Sequence, residues 1–404
     1  MVQAQIKFRP YIDVAEGYDT GLATVGVDST GQLVESSTFS TTVAWGVSGS
    51  HSWRYDALSL DYRGSFSHYP RETFYDGISQ SMLLAYSHQF SRRVTLAVRE
   101  TAGIFTRSFG VGGLQQTVPY DPASSFIPVT DFFDNRTFYM TTQADLIVQR
   151  TPRLSFMMGG DYFVNRRRSD ALHGVTAKGA RNDVQYRLSR RTTVGANYAY
   201  YHYDFTGIAG TTDIHSSAGT WSSALTRRTE LAASLGFVRL ETKFVETQAI
   251  DPAIAALFGI TSSSQTFHTV SYQPTVEGRL SYSFRNGVLY IAGGRKVVPG
   301  NGLFLTSFST NALAGYGYTG LRRWSFRAQL AYSEALSYGN IRGHYSTLSA
   351  SCGMSRTLFH SFHLTASYSA RQYDSADYSA YHRFVQEARI GIGYSPGDIP
   401  LRIW

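Results

Sequence analysis

Charged side chains in this sequence sit one position apart from apolar ones, inside runs that read as extended chain. Glu277 and Arg279 alternate with Val276, Gly278, Leu280, Tyr282 and Phe284, and Arg327 falls within the run Trp324, Phe326, Ala328, Leu330, Tyr332. The same split separates Asp61 and Arg63 from Leu58, Leu60 and Tyr62, and Asp145 from Ala144, Leu146 and Val148. In a strand, such spacing puts all the charges on one face. If those faces line an enclosed space, the groups there are Arg63, Arg99, Asp145, Asp161, Arg187, Glu277, Arg279, Arg295, Arg327, Arg371 and Arg389, with Lys7, Arg9, Asp13, Asp61, Arg167, Arg181, Asp183 and Glu387 beside them. Rings of cations lower the barrier to anions, and facing rows of guanidinium and carboxylate set up a transverse field that sorts polar solutes. Arginine outnumbers the acids, so a weak anion preference is expected. For any single residue the competing role is to pair with a neighbour and hold a wet wall together. As a set, so many charges do not fit a dry core.

Catalytic patterns are missing. The 11 histidines are scattered without a His-Glu-x-x-His arrangement, and Cys352 has no metal-ligand company. Asp13, Asp121, Asp131 and Asp134 do not have a calcium-loop spacing. The glycine-rich piece Phe109 to Gly113 precedes a loop, not a helix, which argues against a phosphate cradle. No nucleophile motif accompanies the serines. Neither an enzyme, a metal nor a cofactor is expected.

The elements that must position these charges are announced by turns. Short ones fall at Ser48 to His51, Ser91 to Arg93, Thr151 to Arg153, Ser189 to Arg191, Thr226 to Arg228, Arg285 to Gly287, Gly320 to Arg323 and Leu358 to His360. They recur about every 37 residues, so one unit is strand, long connection, strand, short turn. Longer connections fall near 18–36, 68–77, 107–135, 166–173, 205–214, 245–266, 297–302, 337–343 and 373–379. Together they delimit about eighteen strands of roughly 12 to 17 residues each, longer than sandwich strands and long enough to cross a bilayer at a tilt. The expected fold is all-β: a closed antiparallel transmembrane β-barrel with short periplasmic turns and long extracellular loops. It forms one domain over 1–404, with the barrel at 1–394 and a tail at 395–404.

Composition agrees. The chain of 404 residues holds 28 Tyr, 25 Phe and 37 Gly with only 16% charged residues, which favours strands with one merely polar face. A mean hydropathy of -0.20 leaves no room for the long apolar run of a membrane helix. One cysteine allows no internal disulfide. The net charge of +8 is spread over turns, not along one helix face or a tail, so nucleic acid is not the expected partner. No secretory signal is visible after Met1, which for an exported chain implies a trimmed mature form.

Two connections stand out. Residues 118 to 135 hold Tyr120, Asp121, Phe126, Asp131, Phe132, Phe133 and Asp134, an aromatic and acidic segment expected to fold inward as a constriction, because a barrel this wide otherwise encloses an open channel. Asp251 to Gly259 reads as a short helix with Asp251 as N-cap and Pro252 at the first position.

Over essentially its whole length the chain resembles bacterial porin-like outer-membrane proteins, and Ala388 to Tyr394 is similar to the closing strand that the barrel-assembly machinery reads. The resemblance implies an assembly signal in Ile390, Ile392 and Tyr394 or Trp404. Pro396, Gly397 and Pro400 interrupt that ending, so either Tyr394 closes the barrel before a tail or Trp404 does so after a bulge. It also implies the bacterial cell outer membrane, contact with outer-membrane lipid, and a homotrimer, although the lipid-facing strips show no subunit seam; the even strand count places both termini on the periplasmic side. The expected function is a porin-like channel for passive diffusion of small polar solutes. The alternative is an occluded barrel serving as a surface binding or structural protein through its extracellular loops.

Overall fold

The computed structural model describes residues 6–27, 29, 33–106, 136–168, 172–207, 210–249, 262–299, 305–337, 343–359, 361–375, 382–397 and 399–401. In chain order the strands are β1 (Ile6–Val27), β2 (Leu33–Ser52), β3 (Asp56–His68), β4 (Gly77–Ser91), β5 (Val94–Phe105), β6 (Thr137–Gln149), β7 (Leu154–Arg167), β8 (Gly174–Arg187) and β9 (Thr192–Thr206). They continue as β10 (Gly210–Ala224), β11 (Thr229–Ala249), β12 (Ser262–Phe284), β13 (Gly287–Pro299), β14 (Thr306–Tyr318), β15 (Trp324–Ser337), β16 (His344–Thr357), β17 (Phe362–Ser375), β18 (Arg383–Tyr394) and a short β19 (Ile399–Leu401). Each strand from β1 to β17 pairs antiparallel with the next. The ring closes where β1 pairs with β18, from Ile12 opposite Tyr394 to Asp19 opposite Glu387. The result is a closed barrel of eighteen strands, with every interior strand sharing its backbone hydrogen bonds with two neighbours.

The chain's last strand shows how the interrupted ending is accommodated. Tyr394 lies opposite Ile12, and Ile399 lies opposite Phe8, so five steps on one strand match four on the other. The extra residue is a β-bulge, and Gly397 within it has a φ of +84, which glycine adopts without penalty. Pairing then resumes through Leu401, bringing part of the expected tail onto the barrel edge.

Four of the short turns share one device. Thr151 Oγ1 accepts the backbone N–H of Arg153 (3.2 Å) and Leu154 (3.0 Å). Ser189 Oγ does the same for Arg191 and Thr192, and Thr226 Oγ1 for Arg228 and Thr229. Ser91 Oγ takes the N–H of Arg93. A hydroxyl at the first turn position thus satisfies donors the ladder has left. One expected turn is displaced. Ser48 to His51 stays in β2, because Ser48, Gly49 and Ser50 are paired on both sides, with β1 and with β3, and the chain reverses at Trp53 to Tyr55 instead. The connection expected at 18–36 is also shorter, since β1 runs to Val27 and β2 begins at Leu33.

Strand alternation separates two surfaces. Ile12, Val14, Phe39, Leu84, Leu330, Leu348 and Ile390 point outward and stay 38 to 66% exposed. Most of the charged groups that alternate with these apolar residues point inward, among serines, threonines and glycines. Inside, tyrosines repeatedly cover a glycine on the next strand and reach the strand beyond. Tyr11 lies over Gly46 toward Arg63, Tyr201 over Gly179 toward Asp161, and Tyr290 over Gly315 toward Gln329. The Tyr290 hydroxyl donates to Gln329 Oε1 at 3.3 Å. A missing side chain on one strand thereby becomes a slot for an aromatic from its neighbour.

The wall is not uniform. β12 pairs with β13 only from Val276 opposite Arg295 to Phe284 opposite Gly287, whereas β11 and β12 stay paired as far as Ala249 opposite Ser262. Pro274 stands two positions beyond the last β13 rung and has no N–H for another. Past this point the β13–β14 hairpin parts from β12, while β14 stays paired with β15 as far as Ser307 opposite Ser337, and its free side tucks inside the ring. Thr306 and Phe308 share a face of β14 with the outward Tyr316, yet they are 0% and 1% exposed, while Leu336 directly opposite Phe308 is 39% exposed. What covers them is the inner face of β10 and β11: Thr306 Oγ1 lies 3.2 Å from Thr212 Oγ1, which in turn lies 3.1 Å from Thr242 Oγ1.

Candidate functional site

The lumen wall gathers most of the charges picked out by alternation. Arg63, Arg99, Asp145, Asp161, Arg187, Glu277, Arg279, Arg327, Arg371 and Arg389 all fall on the inward register of β3, β5, β6, β7, β8, β12, β15, β17 and β18, beside Asp13, Asp61, Arg167, Arg181, Asp183 and Glu387. Arg295 stands apart. It lies opposite the outward Val276, on the same face of β13 as Ile291, with its guanidinium 5.6 Å from the Phe308 ring at the root of the tucked hairpin. Alternation with Ile291 keeps it on the outward register and not in the lumen set expected of it, and because the hairpin is tucked inside beyond this rung, that outer face lies against protein. Lys296, next along, takes the inward register. Lys7 lies opposite Ser50, and its side chain is outside the described residues.

Most of these charges do not stand alone. Arg63 chelates Asp61, with Nε to Oδ1 at 2.8 Å and Nη2 to Oδ2 at 2.9 Å. Arg181 joins two acids, Nε to Asp161 Oδ2 at 2.6 Å and Nη2 to Asp145 Oδ1 at 3.0 Å. Asp161 also accepts from Gln143 Nε2 (3.1 Å) and from the Tyr201 hydroxyl (3.2 Å), so a side chain only 2% exposed is bonded from three strands. Its charge would be costly to bury without those donors. Arg389 pairs with Glu387. Arg371 Nη1 donates to the Tyr373 hydroxyl at 3.0 Å, and Arg383 lies 5.2 Å from the same ring while giving Nη2 to the Gly21 carbonyl at 2.8 Å. The wall therefore combines tied ion pairs with arginines such as Arg279 and Arg327, which remain exposed within the lumen.

Part of the lumen side is apolar, which alternation in the sequence does not announce. Phe105, Tyr139, Phe163, Val175, Tyr203, Phe205, Ile214, Val238, Leu240 and Phe244 point inward from β5 to β11 and are at most 8% exposed, and Leu305 and Phe308 of the tucked hairpin pack against them. Phe244 stacks on Phe267 at 5.1 Å. The only signals in the sequence are Pro274, the Gly293-Gly294 pair and the aromatic residues at both parities near the long-loop ends of these strands. The expected constriction residues Tyr120, Asp121, Phe126, Asp131, Phe132, Phe133 and Asp134, and the helix over 251–259, lie outside the described residues.

The outer surface marks where the apolar band stops. On β9 to β12 the outward series passes from Leu235, Phe237, Tyr198 and Tyr272 to His202, Asp204, Asp213, Glu241 and His268. These last groups lie beyond the band and bond to each other. Lys243 (3.1 Å), His268 (3.0 Å) and Arg239 (2.7 Å) surround Glu241, and hydrogen bonds from Lys243 and then His268 hold its carboxyl down at about 2. A hydrogen bond to Asp213 at 2.8 Å raises His202 above the usual histidine value. Ile390, Ile392 and Tyr394 face outward at 58, 53 and 40% exposure, and Trp404 is outside the described residues. Cys352 is exposed on the outward face with Leu348 and Met354.

No family model matches the chain, and no curated protein matches it. Several solved barrels superpose over nearly its full length. OccK2 (OpdF) of Pseudomonas aeruginosa, in complex with glucuronate, is 12% identical, covers 98% of each chain and gives a TM-score of 0.47. A BenF-like porin from Pseudomonas fluorescens Pf-5 is 11% identical over 98% of this chain and 99% of its own, with a TM-score of 0.47. OccAB3 of Acinetobacter baumannii is 10% identical over 96% and 98%, with a TM-score of 0.42. Identity this low carries no ligand from those proteins to this one.

Proposed function

We propose that this chain is a passive diffusion channel for small polar solutes in the bacterial outer membrane, with a weak preference for anions. The observation that carries the reading is the inward set of Arg63, Arg99, Arg279, Arg327, Arg371 and Arg389 round a closed wall whose outward faces are apolar. Among the described residues, inward cationic groups outnumber inward carboxylates, so after Arg63 is matched with Asp61 and Arg389 with Glu387 the surplus is positive and its field favours anions. In this reading the short turns face the periplasm, and Ile390, Ile392 and Tyr394 form the outward strip that the barrel-assembly machinery reads. Purified folded protein in a planar bilayer is expected to give stepwise conductance, and a salt gradient across it a reversal potential of the sign for anions. Absence of steps from folded protein would remove the reading.

The buried apolar lumen-side cluster favours a second one. A barrel filled at its long-loop half by Leu305, Phe308 and their partners would be a binding or structural protein acting through its loops. A copurifying partner together with no solute flux into liposomes would decide for it.

A further inference from the structure

The short-turn end of the barrel is a ring of arginines. Each of the seven short turns from β2–β3 to β14–β15 carries one or two, and all are exposed. None of them is in an ion pair among the described residues. Among the described residues, the acids closest in sequence to these turns are Asp56 and Glu230, and Asp56 is already engaged by the Tyr86 hydroxyl at 2.6 Å and His88 Nδ1 at 2.7 Å. So many like charges along one rim repel one another, and among the described residues no ion pair neutralises them.

Apolar side chains stand beside these arginines in the same turns. Phe90 is 62% exposed two positions before Arg92, Leu188 is 54% exposed before Arg190, Leu225 is 48% exposed before Arg227, and Leu321 is 52% exposed next to Arg322. Such residues are costly to leave in water at every turn, which places the edge of the bilayer at the turns themselves. The Arg54 guanidinium lies 5.0 Å from the Tyr55 ring, and that of Arg356 5.1 Å from the Trp324 ring, the pairing expected where rings sit at headgroup level. A guanidinium there has phosphates within reach of its stem, and its planar fork matches two phosphate oxygens.

We propose that the arginine rim binds the phosphate headgroups of anionic phospholipids in the leaflet at the short-turn end. The inference rests on the barrel spanning a membrane but not on its conducting. A barrel that carries no current can still hold these lipids, and a conducting one can fail to. The occupant is a lipid and not a soluble anion because the apolar neighbours fix the rim at the bilayer surface. The rim also gives the positive net charge a location.

The test uses the folded full-length chain in phosphatidylcholine vesicles with trace spin-labelled phosphatidylglycerol or phosphatidylcholine, reading the motionally restricted fraction of each. Phosphatidylglycerol is expected to associate preferentially, with selectivity falling about fivefold for each arginine that reaches a phosphate and is removed. R190Q/R191Q/R227Q/R228Q should lose most of it. Raising salt to about 1 M, where the screening length is ~3 Å, should abolish it in the unaltered chain, an arm that stands even if the variant does not fold. Equal association of the two lipids at low salt overturns the proposal, as does a folded variant that keeps the preference. If free glycerophosphate displaces the labelled lipid at concentrations well below those needed for simple screening, the rim is a soluble-anion site and the lipid assignment fails.

Discussion

Asp145 on β6 and Arg181 on β8 meet at 3.0 Å across an intervening strand, and they do so because the residue between them on β7 is Gly159. A Cβ at that position would collide with the Asp145 carboxylate. The bare backbone is the space in which the ion pair forms.

Gly159→Ala is therefore expected to push Asp145 off Arg181 and to destabilise the barrel by about 1–3 kcal/mol, the cost of leaving half-buried charges poorly paired. Gly278→Ala serves as the control, since a Cβ there meets nothing within 4 Å. Urea midpoints of the two variants in the same detergent check this. Equal midpoints would mean that the bridge contributes nothing.

Asp161→Asn keeps the shape of the wall but removes the carboxylate nearest Arg181, at 2.6 Å. The uncovered guanidinium should raise anion over cation permeability by roughly twofold, and Arg181→Gln should move it the other way. Reversal potentials under a salt gradient measure both.

Gly315→Val fills the slot that the Tyr290 ring occupies and should sharply lower the yield of folded barrel. Tyr290→Phe keeps the ring and loses only the 3.3 Å hydrogen bond to Gln329, at a cost of about 1 kcal/mol or less. The heat-dependent shift of folded barrel on a gel separates the two outcomes.

His202 is raised by its bond to Asp213, so its stabilising contribution is full below the ordinary histidine pKa and fades as pH climbs through the raised value. Thermal midpoints of the unaltered chain and His202→Gln, compared between about pH 5 and 9, should differ most at the acid end and converge at the alkaline end. A gap that widens with pH would contradict the pairing.

Cys352 faces outward among Leu348, Ala350 and Met354. In vesicles it should react with an uncharged, lipid-soluble maleimide and resist a charged one. Rapid labelling by the charged reagent would put it in water.

How much of this was legible in advance follows the range of the forces involved. Alternation with period two and hydroxyl-led turns are local properties, so the sequence alone determined the barrel, its eighteen strands, seven of the eight short turns and the inward placement of Arg63, Glu277, Arg327 and most of their companions. Local signals do not weigh ladder pairing on both sides, which is why Ser48 to His51 read as a turn but stayed in β2. The tertiary structure alone decided which charges meet, because Asp145 and Arg181 are 36 residues apart and touch only where the register brings a glycine between them. It also decided the tuck of the β13–β14 hairpin, which sets the outer face of Arg295 against protein and buries Phe308. That fold depends on Thr306 finding Thr212, 94 residues away, and contact energy between distant segments leaves no periodicity in either one.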